Sequence, residues 1–102
     1  MESVFAALAD PTRRGMLARM RTEGPLSIKQ LATSLPISRQ AVTKHLDILQ
    51  ASGLVRIQKA GRERLHSLDS SPLREIEDWL EPYAREWDEH LSRLQLHLEN
   101  QA

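Results

Sequence analysis

Two helix-start signals with a proline between them constrain the middle of this chain more than any other feature. Ser27 followed by Gln30 has the spacing of a capping box, in which the hydroxyl accepts from the backbone N–H three residues on and the amide reaches back to the cap. Ile28, Leu31, Ala32 and Leu35 supply an apolar side until Pro36, which lacks the N–H needed to continue a helix. Ser38 opens a second helix, with Ile37 before it and Val42 inside it at the spacing of a hydrophobic staple. Val42, Leu46 and Leu49 form one stripe, and Gly53 supplies the stop. The opposite side carries Gln40, Thr43, Lys44 and Asp47. The pattern therefore predicts two capped helices joined by a tight turn, the second with one buried and one polar face.

Upstream, residues 2–8 predict a short helix with Val4, Phe5 and Leu8 on one face, too short to stand alone. Asp10-Pro11 restarts the chain as cap and first helical residue, and Met16, Leu17 and Met20 recur at helical spacing until about Thr22 to Gly24. Downstream, Leu54 to Lys59 and Arg64 to Leu68 flank Ala60-Gly61-Arg62-Glu63, a β-hairpin with glycine and the charges of Lys59, Arg62 and Arg64 near its tip. So small a hairpin must lie against helices. Ser71-Pro72 is expected to cap a last helical region over about 72–99, with Pro82 kinking or dividing it. Leu73, Ile76 and Leu80 mark its first apolar side, and Trp79, Tyr83, Trp87, Leu91, Leu94 and Leu98 continue the stripe. The fold class is mainly α with a small β-hairpin: a winged helix-turn-helix.

A chain of 102 residues has room for one core, and a single domain over 1–102 is expected. It has no cysteine, which excludes disulfides, thiolate nucleophiles and cysteine-rich metal sites. A Gly-rich phosphate loop, an H-E-x-x-H helix and a nucleophile elbow are also missing, so no enzyme is expected. No apolar run approaches the roughly 18 residues of a membrane span, and the first residues lack the basic start and apolar run of a signal peptide, which makes the cytoplasm the expected compartment. The net charge of zero hides a segregation. Residues 1–68 hold eleven Lys/Arg against five Asp/Glu, and residues 69–102 hold three against nine. A basic body is the electrostatic footprint of a phosphate-contacting domain, although a solvated surface gives the same count.

The segment Ala9-Asp10-Pro11-Thr12-Arg13-Arg14, the segment Ile37-Ser38-Arg39-Gln40-Ala41-Val42-Thr43-Lys44-His45-Leu46, and Gly53-Leu54-Val55 with Gly61-Arg62 together resemble the ArsR/SmtB family of winged-helix repressors. The resemblance covers nearly the whole chain. It implies a homodimer built from the first and last helices, bound to an inverted repeat in double-stranded operator DNA. It also implies repression of its own or a neighbouring promoter until an effector, which the sequence does not name, binds.

Within that frame Ser38, Arg39, Gln40, Thr43 and Lys44 are the candidate base and phosphate contacts, because Arg and Gln can bond two groups on a base edge. Arg62 and Arg64, beside Lys59, are candidates for the flanking minor groove or its phosphates. Arg13 and Arg14 could touch the DNA backbone or acidic side chains, and His45, nearer the buried stripe, suits packing or hydrogen bonding. Phe5, Leu8, Trp79, Tyr83, Trp87, Leu91, Leu94 and Leu98 offer more apolar surface than one protomer can cover and are assigned to a dimer seam rather than to an intramolecular core, with a ligand pocket between protomers as a possible addition to the seam. The family's founding metal sensors use cysteines on the helix corresponding to residues 28–35, or Asp/His/Glu sets on the last helix. The first set is absent here. His90 and His97 stand seven residues apart, about 10 Å along a helix, too far to share an ion within one chain, so no metal and no cofactor is expected. The competing reading is a winged-helix interaction module that does not read DNA, which would place apolar residues on the outer face of the second helix.

Overall fold

The computed structural model describes residues 1–101. In chain order these form α1 (Glu2–Leu8), α2 (Pro11–Glu23), α3 (Ile28–Thr33), α4 (Arg39–Ala51), β1 (Val55–Ala60), β2 (Glu63–Leu68) and α5 (Ser71–Gln101). Most helices begin where a side-chain oxygen takes up an unpaired backbone N–H. Asp10 accepts from the Arg13 N–H at 3.0 Å, with Pro11 as the first residue of α2, and this bond is the main cause that holds its carboxyl below the usual carboxylate range. Both halves of the Ser27–Gln30 capping box form, at 3.1 and 2.8 Å. Ser38 Oγ accepts from the Ala41 N–H at 3.1 Å. At the start of α5 the cap is Asp69 rather than Ser71: its Oδ1 accepts from the Ser71 N–H at 3.0 Å, while its Oδ2 accepts from Arg56 Nε at 2.8 Å and so ties α5 to β1.

The far end of α4 is closed by a Schellman motif. Gly53 adopts φ +83°, its N–H bonds the Gln50 carbonyl at 3.0 Å, and the Leu54 N–H bonds the Leu49 carbonyl at 3.0 Å. Leu49 and Leu54, the apolar pair of that motif, are both fully buried. They join Val4, Ala7, Met16, Leu17, Met20, Leu26, Leu31, Val42, Leu46 and Val55 in one core drawn from α1 to α4 and the start of the hairpin. The face of α1 differs from the expected one. Val4 and Ala7 point inward, Leu8 is half-buried, and Phe5 lies at the edge. A residue as small as Ala7 lets this short helix approach α2 and α4 closely, and the Phe5 ring turns instead to Trp79 of α5.

The hairpin pairs Val55 with Leu68 through Ala60 with Glu63, leaving Gly61-Arg62 as a two-residue turn with Gly61 at φ +65°. A positive φ at the first turn position alone matches the type II′ turn that suits strand twist. The other edge of β2 carries a bridge that the alternation pattern does not announce. Leu26, between α2 and α3, exchanges two backbone hydrogen bonds with His66, at 2.9 and 2.8 Å.

Pro82 does not divide α5, which runs unbroken for 31 residues. A proline removes one N–H and leaves the Asp78 carbonyl without its helical donor; Asp78 is exposed, and water can take that place. Among the described residues, Leu73 and Ile76 are the hydrophobic side chains of α5 that pack against the core. From Glu77 onward every residue through Asn100 is exposed.

Because Leu49 is fully buried at the junction of α4 and its Schellman turn, Leu49→Ala is expected to cost about 2 to 5 kcal/mol. Urea unfolding checks this, and a loss below about 1 kcal/mol would mean that the site is not packed as described.

Candidate nucleic-acid interface

Burial of Val42, Leu46 and Leu49 fixes the rotation of α4 about its axis, so the polar positions of its first two turns face water. Arg39, Gln40, Thr43 and Lys44 are all exposed. Arg39, Gln40 and Lys44 have no side-chain hydrogen bond or ion pair among the described residues. Thr43 differs: its hydroxyl donates to the Arg39 carbonyl at 2.9 Å, so what it turns outward is mainly its methyl group and remaining lone pairs. Ser38 is the helix cap, with its hydroxyl proton still available to an external acceptor. The end of the helix where these groups cluster is also its positive dipole end.

The wing supplies a second group of cations. Arg62 and Arg64 are exposed, and the register sets Lys59 directly opposite Arg64. Like charges at paired positions weaken a hairpin. The arrangement favours an anionic partner more than it favours the isolated fold.

Arg13 and Arg14 have a different role from either one the sequence leaves open. Arg13 Nε donates to the Ala7 carbonyl at 2.7 Å and Nη2 to the Ala6 carbonyl at 3.0 Å, and Arg14 Nη1 donates to the Leu8 carbonyl at 2.7 Å. At the end of α1 the Ala6 carbonyl has one backbone donor, the Ala9 N–H at 3.3 Å, and the guanidinium groups add donors to it and to the Ala7 and Leu8 carbonyls at the negative end of the helix. The Nη1 of Arg13 also donates to His45 Nδ1 at 3.3 Å, which fixes that nitrogen as an acceptor and ties the end of α1 to α4. His45 thus has the hydrogen-bonding role its position suggests.

The apolar residues of α1 and α5 make ring contacts with one another or stand exposed. Phe5 meets Trp79 edge to face at 5.9 Å, Trp79 meets Tyr83 at 5.4 Å, and Trp87 stacks on His90 at 5.7 Å. Tyr83, Trp87, Leu91, Leu94 and Leu98 are exposed farther along α5. Leu8, Leu73, Ile76, Leu80 and Ala84 line an open apolar groove of about 550 Å³ between the end of α1 and α5. Leu96 is exposed as well, on a position outside the predicted stripe. No group of three or more His, Cys, Asp or Glu side chains is placed to hold a metal ion among the described residues.

Comparison with known proteins agrees with this geometry. A helix-turn-helix domain model matches residues 8–58. The HTH-type transcriptional regulator Rv2034 of Mycobacterium tuberculosis is 42% identical over 72 residues, which is 71% of this chain and 66% of that protein. The transcriptional repressor SdpR of Bacillus subtilis is 28% identical over 91 residues, 89% of this chain and 100% of that one. A solved ArsR-like transcriptional regulator from Rhodococcus sp. RHA1 superposes with a TM-score of 0.76 at 42% identity, covering 97% of this chain and 90% of its own. The chain belongs to the ArsR family of helix-turn-helix transcriptional regulators. It is thus a DNA-binding regulator, of a class that is not enzymatic, with the winged fold of its ArsR relatives. Among the described residues, no helix of this ArsR-family chain is long and apolar enough to cross a membrane.

One functional contribution in this ArsR-family fold has no sequence signal of its own. His66 is 3% exposed, and its Nδ1–H donates to the Leu26 carbonyl at 3.2 Å, beside the backbone bridge. Burial lowers its pKa below the ordinary imidazole value of 6.5, against the opposing pull of the Leu26 hydrogen bond. The folded state then binds fewer protons than the unfolded one just below pH 6.5, so the stability this neutral histidine supports is present above that pH and lost as pH falls through it. The expected outcome is that thermal stability declines more steeply from pH 7.5 to 5.5 in the parent than in His66→Asn, which keeps a donor and does not titrate. Parallel declines would remove His66 from the account.

Proposed function

We propose that the chain is a homodimeric repressor that reads an inverted-repeat operator with α4 and grips the flanking DNA with the wing, acting in the cytoplasm on its own or a neighbouring promoter. The observation that carries this reading is the outer face of α4, where Arg39, Gln40 and Lys44 stand exposed and unpaired on a helix whose rotation the core holds. Gln40 and Arg39 have the paired groups that bond a base edge, the Thr43 methyl suits a thymine methyl, and Lys44 with the Ser38 hydroxyl suits phosphate. Arg62 and Arg64 reach the adjacent backbone or minor groove from the wing. The repressor sense follows relatives such as SdpR, whose name describes a transcriptional repressor.

The dimer seam in this reading joins α1 to α5. Phe5, Leu8, Trp79, Tyr83, Trp87, Leu91, Leu94 and Leu98 face outward or lie half-covered on two elements that already touch through the Phe5–Trp79 pair. A helix this long with its apolar stripe in water calls for a partner of the same kind. A two-fold pairing there presents two α4 helices to half-sites about 10 to 10.5 base pairs apart, or a multiple of that. The acidic side chains of α5 keep the seam off the polyanion. The non-DNA interaction module finds no support in the outer face of α4, where Ile48 is the one large exposed apolar side chain among the described residues.

Selection from a random duplex pool is expected to enrich an inverted repeat. Gln40→Ala should cost about 1 to 3 kcal/mol on that site and relax preference, whereas Arg62→Ala should weaken all sequences evenly and flatten the salt dependence. A pool that never enriches a repeat, with Gln40→Ala and Lys44→Ala binding as the parent does, would overturn the reading. Sedimentation at micromolar concentration should give a dimer for the parent and a monomer for Trp87→Glu, with operator affinity falling alongside; a monomeric parent refutes the seam.

A further inference from the structure

The chain opens a cleft where it leaves β2. Leu26 is locked to His66 by two backbone hydrogen bonds, and from Ser27 onward the backbone turns away into α3. The cleft that remains, about 320 Å³, is lined by Ser27, Ile28 and Lys29 on one side and by Arg62, Glu63 and Arg64 on the other. Lys29 is exposed and belongs to none of the groups of side chains discussed so far. Its carbonyl accepts from the Thr33 hydroxyl at 2.7 Å, but like Arg62 its side chain has no hydrogen bond or ion pair among the described residues. Three cations against one carboxylate leave the cleft electropositive, and Lys59 opposite Arg64 adds to it.

Backbone geometry points the same way. In an antiparallel ladder the backbone groups of successive residues alternate between the two edges. His66 turns its N–H and carbonyl to Leu26, so Arg64, two residues earlier, turns its own to the same edge, where α3 has already diverged. The cleft therefore combines side-chain cations from two elements with a backbone N–H, a donor set suited to phosphate oxygens. Both α3 and β1 pack on α4, so the cleft belongs to the same framework as the recognition helix.

We infer that this cleft is a second DNA contact, taking a backbone phosphate of the duplex between the wing and the first turn of α3, with Lys29 and Arg64 as its two cationic walls. The inference rests on the DNA-binding reading of α4 and deepens it. A duplex strand fits better than a small free anion because the cleft is open and its cations are solvated, so single-ion affinity is weak while a phosphate delivered by an already docked strand is not. The Leu26–His66 bridge holds both walls in place, and ordering on binding is confined to side chains. Glu63 opposes the phosphate and limits the strength of the contact.

The test is fluorescence anisotropy of the full chain with the selected operator and with a scrambled duplex of equal length, over about 50 to 200 mM salt. Lys29→Gln is expected to reduce the slope of log K against log salt by about 0.9 per protomer on both duplexes. Its unfolding midpoint should not change, because Lys29 is exposed. Lys29→Arg should restore the slope, and Glu63→Gln should tighten both complexes. Arg21→Gln removes the same charge from the last turn of α2, outside the cleft, and should leave the slope unchanged. A parental slope in Lys29→Gln, or an equal loss in Arg21→Gln, overturns the cleft while leaving the α4 reading intact. A parent that binds both duplexes equally, yet still loses slope in Lys29→Gln, overturns the α4 reading and upholds the cleft. A parent that binds neither duplex overturns both.

Discussion

Val42, Leu46 and Leu49 are at most 3% exposed, and their spacing along α4 means that burying them sets the angle at which the helix meets water. Nearly everything functional follows from that angle. A rotation of one residue's width would carry Gln40 and Lys44 toward the core and expose the leucines, at a cost of several kcal/mol in lost apolar burial. The stripe is anchored at both ends, by the Ser38 cap and by the Schellman turn in which Leu49 and Leu54 meet over Gly53. A helix held in this way presents its polar groups with little left to order on binding, which favours affinity and specificity together.

Two side chains extend this control beyond α4. Arg13 donates to the carbonyls that end α1 and to His45, so the helix nearest the apolar seam and the helix with the polar face share one guanidinium. His66, buried and neutral, fastens the wing to the connection between α2 and α3. Neither contact is large, but each joins elements that are distant in sequence, and each spans a boundary between a surface of one kind and a surface of another.

The last helix shows the opposite economy. Its first turns dock through Leu73 and Ile76, and the rest extends into solvent with aromatic and leucine side chains uncovered, which gives the protein a longest dimension of 64 Å against 26 and 22 Å. Charge follows the same division: most of the basic residues lie on the compact body and most of the acidic ones on the projecting helix. A polyanion is thereby drawn to one end of the molecule and repelled from the other, leaving the apolar stripe to meet something else.

Local signals read from the sequence stand up well in the fold. The capping box at Ser27, the caps at Asp10 and Ser38, the glycine stop at Gly53 and the hairpin turn at Gly61 all depend on residues within a few positions of one another, and such chemistry is decided by residue type and spacing alone. The two faces of α4, and with them its candidate contacts, are legible for the same reason. What sequence could not supply depends on atoms brought together from far along the chain. Arg13 and Arg14 look like surface cations until the end of α1 is seen to need donors; His66 looks like one more residue in an alternating strand until Leu26 arrives beside it; Lys29 gains company only when the wing folds back over α3. Pro82 misleads in the other direction, because a proline's cost depends on whether the orphaned carbonyl is buried, and on an exposed helix it is not. The sequence by itself determined the elements, their caps and the polar face of α4, since these follow from short-range hydrogen bonding and periodicity; only the tertiary structure decided which cations serve the fold and which stand ready for a partner, because that depends on which backbone carbonyls long-range packing leaves without a donor.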